Sequence, residues 1–358
     1  MKNFVYTILL LLHTSISVFA QRPPNIVSPH VHSDQSVTFR YYSKTAKEVK
    51  LSGEFLREPV SLTKDTSGIW SITVPPIAPD VYPYNFVVDG VGVSDPNNTY
   101  LFANERFKRS IVDIPGKEPL VHALQDVPHG KVHYNYYFSK TLNTQRQVLV
   151  YTPPGMDLSG KTKYPVLYLI HGGSDTEETW TKVGRANLIA DNLIAAKKSK
   201  AMIIVMPYGN VRPAPMGDFT NDVVKDLIPY IDSNYPTKAN ASGRAVAGFS
   251  VGGGQTLNIG FSNLESFSHI CSYAPYTATE EFKKIFTDWT PNAQQVNSKL
   301  KLFTISVGTD DFLYESVKGN IAMFEEKGIK VKPFIVDGGH TWMNCKLFLA
   351  TTLQEIFK

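Results

Sequence analysis

The sequence predicts an α/β protein: a mostly parallel sheet with helices on both faces, preceded by a small all-β domain. From residue 164 onward, short and nearly uninterrupted apolar runs recur, as in parallel strands buried on both faces. Before about residue 115, apolar and polar residues instead alternate between turn signals, as in half-buried antiparallel strands. A chain of 358 residues also exceeds what one hydrophobic core usually serves, so two domains are expected.

The first 20 residues are predicted to be a secretory signal peptide. Lys2 supplies the positive charge, residues 8–12 form an apolar core, and the small residue Ala20 suits cleavage after it. The residue directly after the cut is not a cysteine, and no other apolar segment approaches membrane-spanning length. We therefore expect a secreted or periplasmic protein without a membrane anchor.

The all-β domain is predicted to be a small β-sandwich within residues 21–115. Its alternating runs, separated by turn residues, are found at residues 36–42, 48–51, 70–74 and 82–88. A linker is predicted at residues 116–131, where prolines and glycines recur, and the α/β domain at residues 132–358.

One serine stands in a context that exposes it. Residues 243–247 read as a short buried strand, Ser250 follows within a Gly-x-Ser-x-Gly pentapeptide, and residues 255–259 can begin a helix. Such a turn strains the serine backbone and lifts the hydroxyl to the surface, while the helix N-terminus favours negative charge. The pentapeptide alone is a weak signal, so the other catalytic groups decide.

Three more strand ends carry those groups. Residues 164–170 lead into a His-Gly-Gly turn, and residues 302–307 lead into a turn with two aspartates. Residues 331–336, a further apolar strand, lead into Gly-Gly-His340. Serine, aspartate and histidine in this chain order, each past the carboxyl end of a strand, are typical of α/β-hydrolases. Together they predict a serine hydrolase or acyltransferase.

The chemistry gives each group a role. Ser250 would attack a carbonyl carbon while His340 takes its proton. Asp310 and Asp311 share one turn, so either could hold the imidazole while the other is a turn residue.

The tetrahedral oxyanion of such a reaction needs fixed hydrogen-bond donors, for which the backbone N–H groups of Gly173 and Val251 are the candidates. The reaction needs no metal or other cofactor. His129 and His133 are spaced i, i+4 but lie in extended sequence, so we expect no metal site there.

From about residue 132 to the C-terminus, the chain resembles the esterase D-like α/β-hydrolases of carbohydrate esterase family 1, most closely bacterial feruloyl esterases. The matching blocks are residues 151–155, 171–173, 184–187, 226–231, 247–255 and 338–342. The resemblance implies hydrolysis of an ester between an acyl group, often a hydroxycinnamate, and a plant polysaccharide such as arabinoxylan. It implies a triad of Ser250, Asp311 and His340, with oxyanion donors at Gly173 and Val251.

Residues 84–90 with the following Asp95-Pro96 resemble early-set immunoglobulin-like domains and are similar to family 48 carbohydrate-binding modules, which implies an immunoglobulin-like sandwich. Glycan binding and a structural role beside the esterase both remain open. The reason is that Trp70, Tyr82, Tyr84 and Phe86 alternate as core residues do.

Four side chains are candidates for substrate contacts. Trp180 and Asn187 follow the His-Gly-Gly turn at residues 171–173, and Tyr273 and Tyr276 follow the strand after Ser250. Loops at this edge of an α/β sheet usually set specificity, although each of these residues could equally pack the core.

Other functions stay open within and beyond this chemistry. Acetylxylan esterase and an esterase of siderophore-type ester rings are the enzymatic alternatives, and a glycan-binding protein with an inert hydrolase domain is the non-enzymatic one. The net charge of +4 is spread without a basic run, so no nucleic-acid partner is expected. Cys271 and Cys345 could pair, although two buried thiols are the favoured interpretation. The sequence does not determine the oligomeric state.

Overall fold

The computed structural model describes residues 25–157, 159–212, 216–278, 280–287 and 289–358. Within these residues, two antiparallel sheets form an N-terminal sandwich, and a larger mixed sheet with helices follows. The predicted signal peptide, residues 1–20, lies outside the described residues. In the described part of the chain, every helix is too short or too polar to cross a bilayer.

The sandwich explains the alternating pattern of the N-terminal sequence. Its strands are β1 (His30–Val31), β2 (Val37–Tyr42), β3 (Val49–Gly53), β4 (Val60–Ser61), β5 (Thr63–Lys64), β6 (Ile69–Val74), β7 (Asp80–Val88), β8 (Val91–Val93), β9 (Leu101–Ala103) and β10 (Lys108–Ile114). One sheet has the order β1-β2-β6-β5; the other has the order β4-β3-β7-β10-β9, with β8 paired to β7. Trp70, Tyr82, Tyr84 and Phe86 are buried in the core between them, as their alternation predicted.

The larger sheet is antiparallel at one side and parallel from its third strand onward. Its strands are β11 (Lys131–Ser139), β12 (Thr144–Thr152), β13 (Val166–Ile170), β14 (Ile203–Pro207), β15 (Arg244–Phe249), β16 (His269–Tyr273), β17 (Leu302–Gly308) and β18 (Lys332–Val336). The spatial order is β11-β12-β14-β13-β15-β16-β17-β18. Every residue of β13 to β16 is buried, which accounts for their continuous apolar sequences.

One predicted strand differs from the others. β18 was expected to be buried like its neighbours, but it forms the edge of the sheet and is largely exposed. Pro333 within it suits an edge position because proline has no N–H to donate to a further strand.

The helices alternate with the parallel strands. They are α1 (Thr179–Lys182), α2 (Ala186–Ala195), α3 (Gly217–Asp222), α4 (Ile228–Asn234), α5 (Val251–Ser262), α6 (Glu280–Thr287), α7 (Ala293–Lys299), α8 (Tyr314–Glu326) and α9 (Trp342–Glu355). A π-helical turn, Val223–Leu227, joins α3 to α4. α5, α8 and α9 follow β15, β17 and β18 after short turns, and these turns carry the predicted catalytic residues.

The segment between Ile114 and β11, predicted as a linker, is packed against both units. The Asn192 side chain on α2 donates to the carbonyls of Val121 and Ala123, both at 2.8 Å. His122 is buried, and its Nε2 lies 3.3 Å from Asp80 Oδ1 of the sandwich. The segment therefore restrains the two units instead of leaving them on a free tether.

A buried ion pair joins the sandwich to α9. Lys346 Nζ lies 2.7 Å from Asp80 Oδ1 and donates to the Val81 carbonyl at 3.2 Å. Burial lowers the pKa of the Lys346 ammonium group, and it raises the pKa of the neighbouring Glu54 carboxyl. Charges desolvated in this way are stable only while each keeps its partner.

We expect Lys346→Ala to lower the free energy of unfolding by about 3 kcal/mol, because it leaves Asp80 at the interface without its lysine partner. Thermal or urea unfolding measures the loss. The control is Lys318→Ala, which breaks an exposed pair with Glu315 on α8 and should cost no more than about 0.5 kcal/mol. Equal losses in the two variants would contradict a stabilising role for the interface pair.

Candidate active site

Ser250 occupies a strained turn between β15 and α5. Its backbone lies at φ 58° and ψ −117°, a conformation that non-glycine residues rarely adopt. A side chain on Gly248 would collide with the Gly252 carbonyl, and one on Gly252 would collide with the His171 carbonyl. Backbone hydrogen bonds from Ser250 N to the Tyr273 carbonyl and from Tyr276 N to the Ser250 carbonyl, both at 2.8 Å, hold the turn.

His340 and Asp311 meet across the ends of two neighbouring strands. The distance from His340 Nδ1 to Asp311 Oδ2 is 2.7 Å, and Asp311 Oδ1 accepts the Leu313 backbone N–H at 2.8 Å. The Asp311 side chain is buried. Because Nδ1 faces the carboxylate, Nε2 is the ring nitrogen left for proton transfer to and from a reacting group.

Asp310, the alternative acid, is exposed, whereas Asp311 is buried. Its backbone N–H donates to the Gly338 carbonyl at 3.0 Å. This bond joins the turn after β17 to the loop that carries His340. The geometry therefore pairs Asp311 with His340.

Aromatic rings flank the imidazole of His340. Phe249 stacks on it with centroids 4.3 Å apart, and Phe312 lies at 4.7 Å. Phe312 is 75% exposed, so a large apolar ring faces solvent directly beside the histidine. Sequence reasoning missed Phe312, although its position next to Asp311 in a strand-end turn was an available signal.

The predicted oxyanion donors lie side by side. A Cβ placed on Gly173 would be 2.9 Å from Val251 Cγ2, so the turn after β13 lies directly against the first residue of α5. Ser174 has a left-handed φ of 64°, and its N–H donates to Asn210 Oδ1 at 3.2 Å. This contact joins the turn after β13 to the loop after β14.

His171 fixes the same turn from beneath. Its Nε2 accepts the Gly209 N–H, and its Nδ1 lies 2.8 Å from the Gly172 carbonyl, to which it donates. Burial lowers the pKa of His171 to about 4, so the ring is neutral at ordinary pH. His171 is therefore a structural residue and not a second acid or base.

Asp175 is a buried carboxyl group at the end of this turn. It accepts a hydrogen bond from Asn104 Nδ2 of the N-terminal sandwich at 2.8 Å, and one from the Gly172 backbone. Burial raises the pKa of Asp175 to about 7 despite these bonds. Nothing in the sequence pattern indicated this contact, which joins residues 71 positions apart.

Two of the predicted substrate contacts are wrong. Trp180 has no exposed surface and packs against Trp342, with ring centroids 5.0 Å apart. Tyr273 is also fully buried, and its hydroxyl donates to Thr352 Oγ1 of α9 at 2.7 Å. Both side chains lie beneath the site because α9 and its first residue, Trp342, cover them.

The other two predicted contacts, Asn187 and Tyr276, are half-buried. Asn187 Oδ1 is buried without a hydrogen-bond partner, and Tyr276 contacts the Ser250 turn through its backbone. Their contact with a substrate stays a prediction.

The two cysteines are unpaired and buried in the core. Cys271 and Cys345 are buried free thiols, which confirms the favoured interpretation over a disulfide. Burial raises the pKa of Cys271 to about 11, so its reactive thiolate is scarce. Among the described residues, no three His, Cys, Asp or Glu side chains are grouped so that they could share a metal ion.

Comparisons with known families agree with the two units. The model of the family described as "Putative esterase" matches residues 139–342, which is more than half of the chain. The model of carbohydrate-binding module 48, the isoamylase N-terminal domain, matches residues 28–101. The chain therefore belongs to this esterase family.

Two curated relatives with esterase names are longer than this chain. It is 31% identical over 347 residues to an endo-1,4-beta-xylanase/feruloyl esterase of Xylanibacter ruminicola, covering 92% of this chain and 46% of that protein. It is 27% identical over 227 residues to an esterase of Mycobacterium tuberculosis, covering 58% of this chain and 44% of that protein. The chain thus spans less than half of either relative.

Solved structures confirm the fold. A ferulic acid esterase from Anaeromyces mucronatus matches with a TM-score of 0.57 at 22% identity, covering 66% of this chain and 94% of that one. The enterobactin esterase of Shigella flexneri matches with a TM-score of 0.68 at 18% identity, covering 89% of this chain and 92% of that one. An α/β-hydrolase fold behind a β-sandwich is therefore confirmed.

The buried Asp175 predicts a pH-dependent stability difference. Its pKa is raised when folded, so folding favours the protonated form, and this stability is lost as pH rises towards 7. An amide at this position cannot ionise. We therefore expect the difference in melting temperature between Asp175→Asn and the parent to shift in the variant's favour from pH 5 to pH 8.

The matched control is Asp34→Asn. Hydrogen bonds from Ser36 lower the pKa of this exposed carboxyl, so it is ionised throughout the same pH range. Its melting difference from the parent should stay constant, as measured by calorimetry at both pH values. A constant difference for Asp175→Asn as well would show that the buried carboxyl does not titrate there.

Proposed function

We propose that this chain hydrolyses hydroxycinnamoyl esters, feruloyl esters in particular, on plant cell-wall polysaccharides such as arabinoxylan. The observation that carries the proposal is the alignment with the xylanase/feruloyl esterase over 92% of this chain. This chain matches the esterase family and carbohydrate-binding module 48. We therefore assign it to the feruloyl esterase named for that relative, and not to the xylanase.

In this proposal, Ser250 is the nucleophile and His340 the general base. His340 Nε2 takes the hydroxyl proton as Ser250 Oγ attacks the ester carbonyl, and Asp311 stabilises the imidazolium and holds its tautomer. The same proton then passes to the departing sugar oxygen, so the sugar leaves as an alcohol and the acyl group stays on Ser250. Water then gives a proton to His340 and attacks the acyl carbonyl. The bond from Ser250 Oγ to the acyl group breaks, His340 returns the proton to Ser250 Oγ, and the free acid is released. These steps use no metal or other cofactor.

The oxyanion of each tetrahedral intermediate would be held by the backbone N–H groups of Gly173 and Val251. Val251 is the first residue of α5, whose twelve residues leave unpaired N–H groups and a partial positive charge at this end. Negative charge that develops beside Ser250 is therefore stabilised by fixed dipoles that need no reorganisation.

The aromatic acyl group is supported by the surroundings of His340. Phe312 offers an exposed apolar ring beside the imidazole, and we assign it a substrate contact. The substrate also implies export, because a cell-wall polysaccharide stays outside the cell. We therefore propose a secreted or periplasmic enzyme whose predicted signal peptide is cleaved after Ala20.

Hydrolysis of siderophore-type ester rings is the second candidate. The enterobactin esterase aligns across both units of this chain, whereas the ferulic acid esterase aligns with about two thirds of it. Both substrate classes place an aromatic acyl group beside a scissile ester, so the test must include both.

The deciding experiment compares hydrolysis of methyl ferulate, a simple acetyl ester and a catecholate trilactone. We expect methyl ferulate to be cleaved fastest, and Ser250→Ala to lower kcat about 10⁶-fold. A preference for acetate or for the trilactone would keep the mechanism and overturn the acyl assignment. Full activity of Ser250→Ala would overturn the mechanism itself.

The two neighbouring aspartates form a matched pair of variants. Asp311→Asn should lower kcat about 10⁴-fold, because the amide no longer fixes the imidazole tautomer or balances its charge. Asp310→Asn, in the same turn but exposed, should stay within a few-fold of the parent. Steady-state kinetics on methyl ferulate measure both, and the reverse ranking would move the acid to Asp310.

A further inference from the structure

The N-terminal sandwich reaches the oxyanion site directly. We call residues 104–107, between β9 and β10, the sandwich turn, and residues 171–175, after β13, the oxyanion turn. Asn104 Nδ2 donates to Asp175 Oδ1 at 2.8 Å, and the Glu105 backbone N–H donates to the Ser174 carbonyl at 2.7 Å. Asn104 and Asp175 also pair as an isolated antiparallel bridge.

Asn104 is held rigidly for this contact. It is 2% exposed, and its Oδ1 accepts the Arg106 backbone N–H at 2.9 Å within the sandwich turn. Its backbone carbonyl accepts a hydrogen bond from Lys108 Nζ. With its oxygen atoms engaged locally, the side-chain NH₂ group is directed across to the esterase unit.

The contact acts on the peptide that carries one proposed oxyanion donor. The Gly172 carbonyl and the Gly173 N–H belong to the same planar peptide and point in opposite directions. That carbonyl accepts the Asp175 backbone N–H at 3.1 Å and the His171 Nδ1–H at 2.8 Å. Asp175 and His171 together therefore fix the direction of the Gly173 N–H.

The oxyanion turn needs this support. Ser174, with its left-handed backbone, is in a conformation that persists only where surrounding contacts enforce it. Its N–H is held by Asn210 of the esterase unit, and its carbonyl by Glu105 of the sandwich. The sandwich thus supplies one of these two hydrogen bonds to the backbone of the strained residue.

We propose that Asn104 is a positioning residue of the esterase, and that the sandwich is part of its oxyanion machinery. This inference rests on the proposed function and assigns a role to a residue outside the catalytic unit. Asn104 acts through Asp175 on the Gly173 N–H and does not touch the substrate.

The first test is the kinetics of Asn104→Ala on methyl ferulate. An oxyanion donor stabilises the transition state more than the bound ester, so its misplacement should lower kcat by ~10- to 100-fold and change KM less than about threefold. A rise in KM with unchanged kcat would overturn the proposal, because it would make the sandwich a wall of the substrate cleft.

Asn98→Ala is the matched control. Asn98 is also a sandwich amide, and its Nδ2 donates to Tyr84 Oη and to the Ile111 carbonyl, within the sandwich. Its loss should lower the melting temperature and leave kcat unchanged. Equal kcat losses in the two variants would mean that Asn104 acts only through sandwich stability, which would overturn the proposal.

A reciprocal exchange tests the hydrogen bond itself. Asn104→Asp places one carboxyl group opposite another. Asp175→Asn removes one acceptor oxygen, so either the Asn104 NH₂ group or the Gly172 N–H loses its acceptor. Each variant should therefore lower kcat. In the double variant, the new amide at position 175 can donate to the new carboxylate and still accept the Gly172 N–H. We expect kcat to recover to within about fivefold of the parent. A double variant no better than its worse single variant would overturn the proposal.

Hydrogen exchange of residues 171–175 separates this inference from the proposed function. If the parent cleaves none of the esters, the proposed function fails, but exchange still decides the positioning role. Faster exchange in Asn104→Ala than in both the parent and Asn98→Ala supports it, and equal exchange overturns it. If Asn104→Ala does not fold, Asn104→Ser takes its place under the same criteria.

Discussion

The close approach of three backbone segments around Ser250 is the constraint on which the site depends. The carbonyl of His171 lies against Gly252, and Gly252 lies against Gly248, with no room for a side chain at either glycine. Ser250, in its strained conformation, lies between these close approaches, and the turn after β13 lies against the start of α5. Ser250, the proposed nucleophile, and both proposed oxyanion donors therefore belong to one packing arrangement.

Sheet topology brings the remaining groups to the same place. β13 and β15 are neighbours, and β17 and β18 follow two places along, all parallel, so their carboxyl ends share one edge. Asp311 and His340, 29 residues apart in sequence, meet because their strands are adjacent. Burial of Asp311 then strengthens its hold on the imidazole, since a carboxylate screened from water interacts more strongly with a nearby positive charge.

Local sequence patterns predicted the elements, the turns and the buried face of the sandwich strands, but not the directions of side chains around the site. The strands, the Ser250 turn and the glycine turns are written in short stretches of chain, and they were correctly anticipated. Trp180 and Tyr273 were misplaced because the helix that covers them, α9, lies far away in sequence. Asp310 and Asp311 could not be separated by spacing, because only the three-dimensional turn decides which carboxylate faces His340. The contact of Asn104 with Asp175 is a tertiary feature with no periodic signal at all.

The sandwich holds both sides of the site. Through Asn104 it supports the turn that carries Gly173, and through Asp80 and Lys346 it is fixed to α9, which begins two residues after His340. A module joined only to bind glycan would need neither a buried ion pair nor a strained residue shared with its neighbour. These contacts desolvate charges, which is costly unless the two units stay together. These contacts favour a rigid two-domain unit. In such a unit, the sandwich keeps the distance between the oxyanion turn and α9 constant.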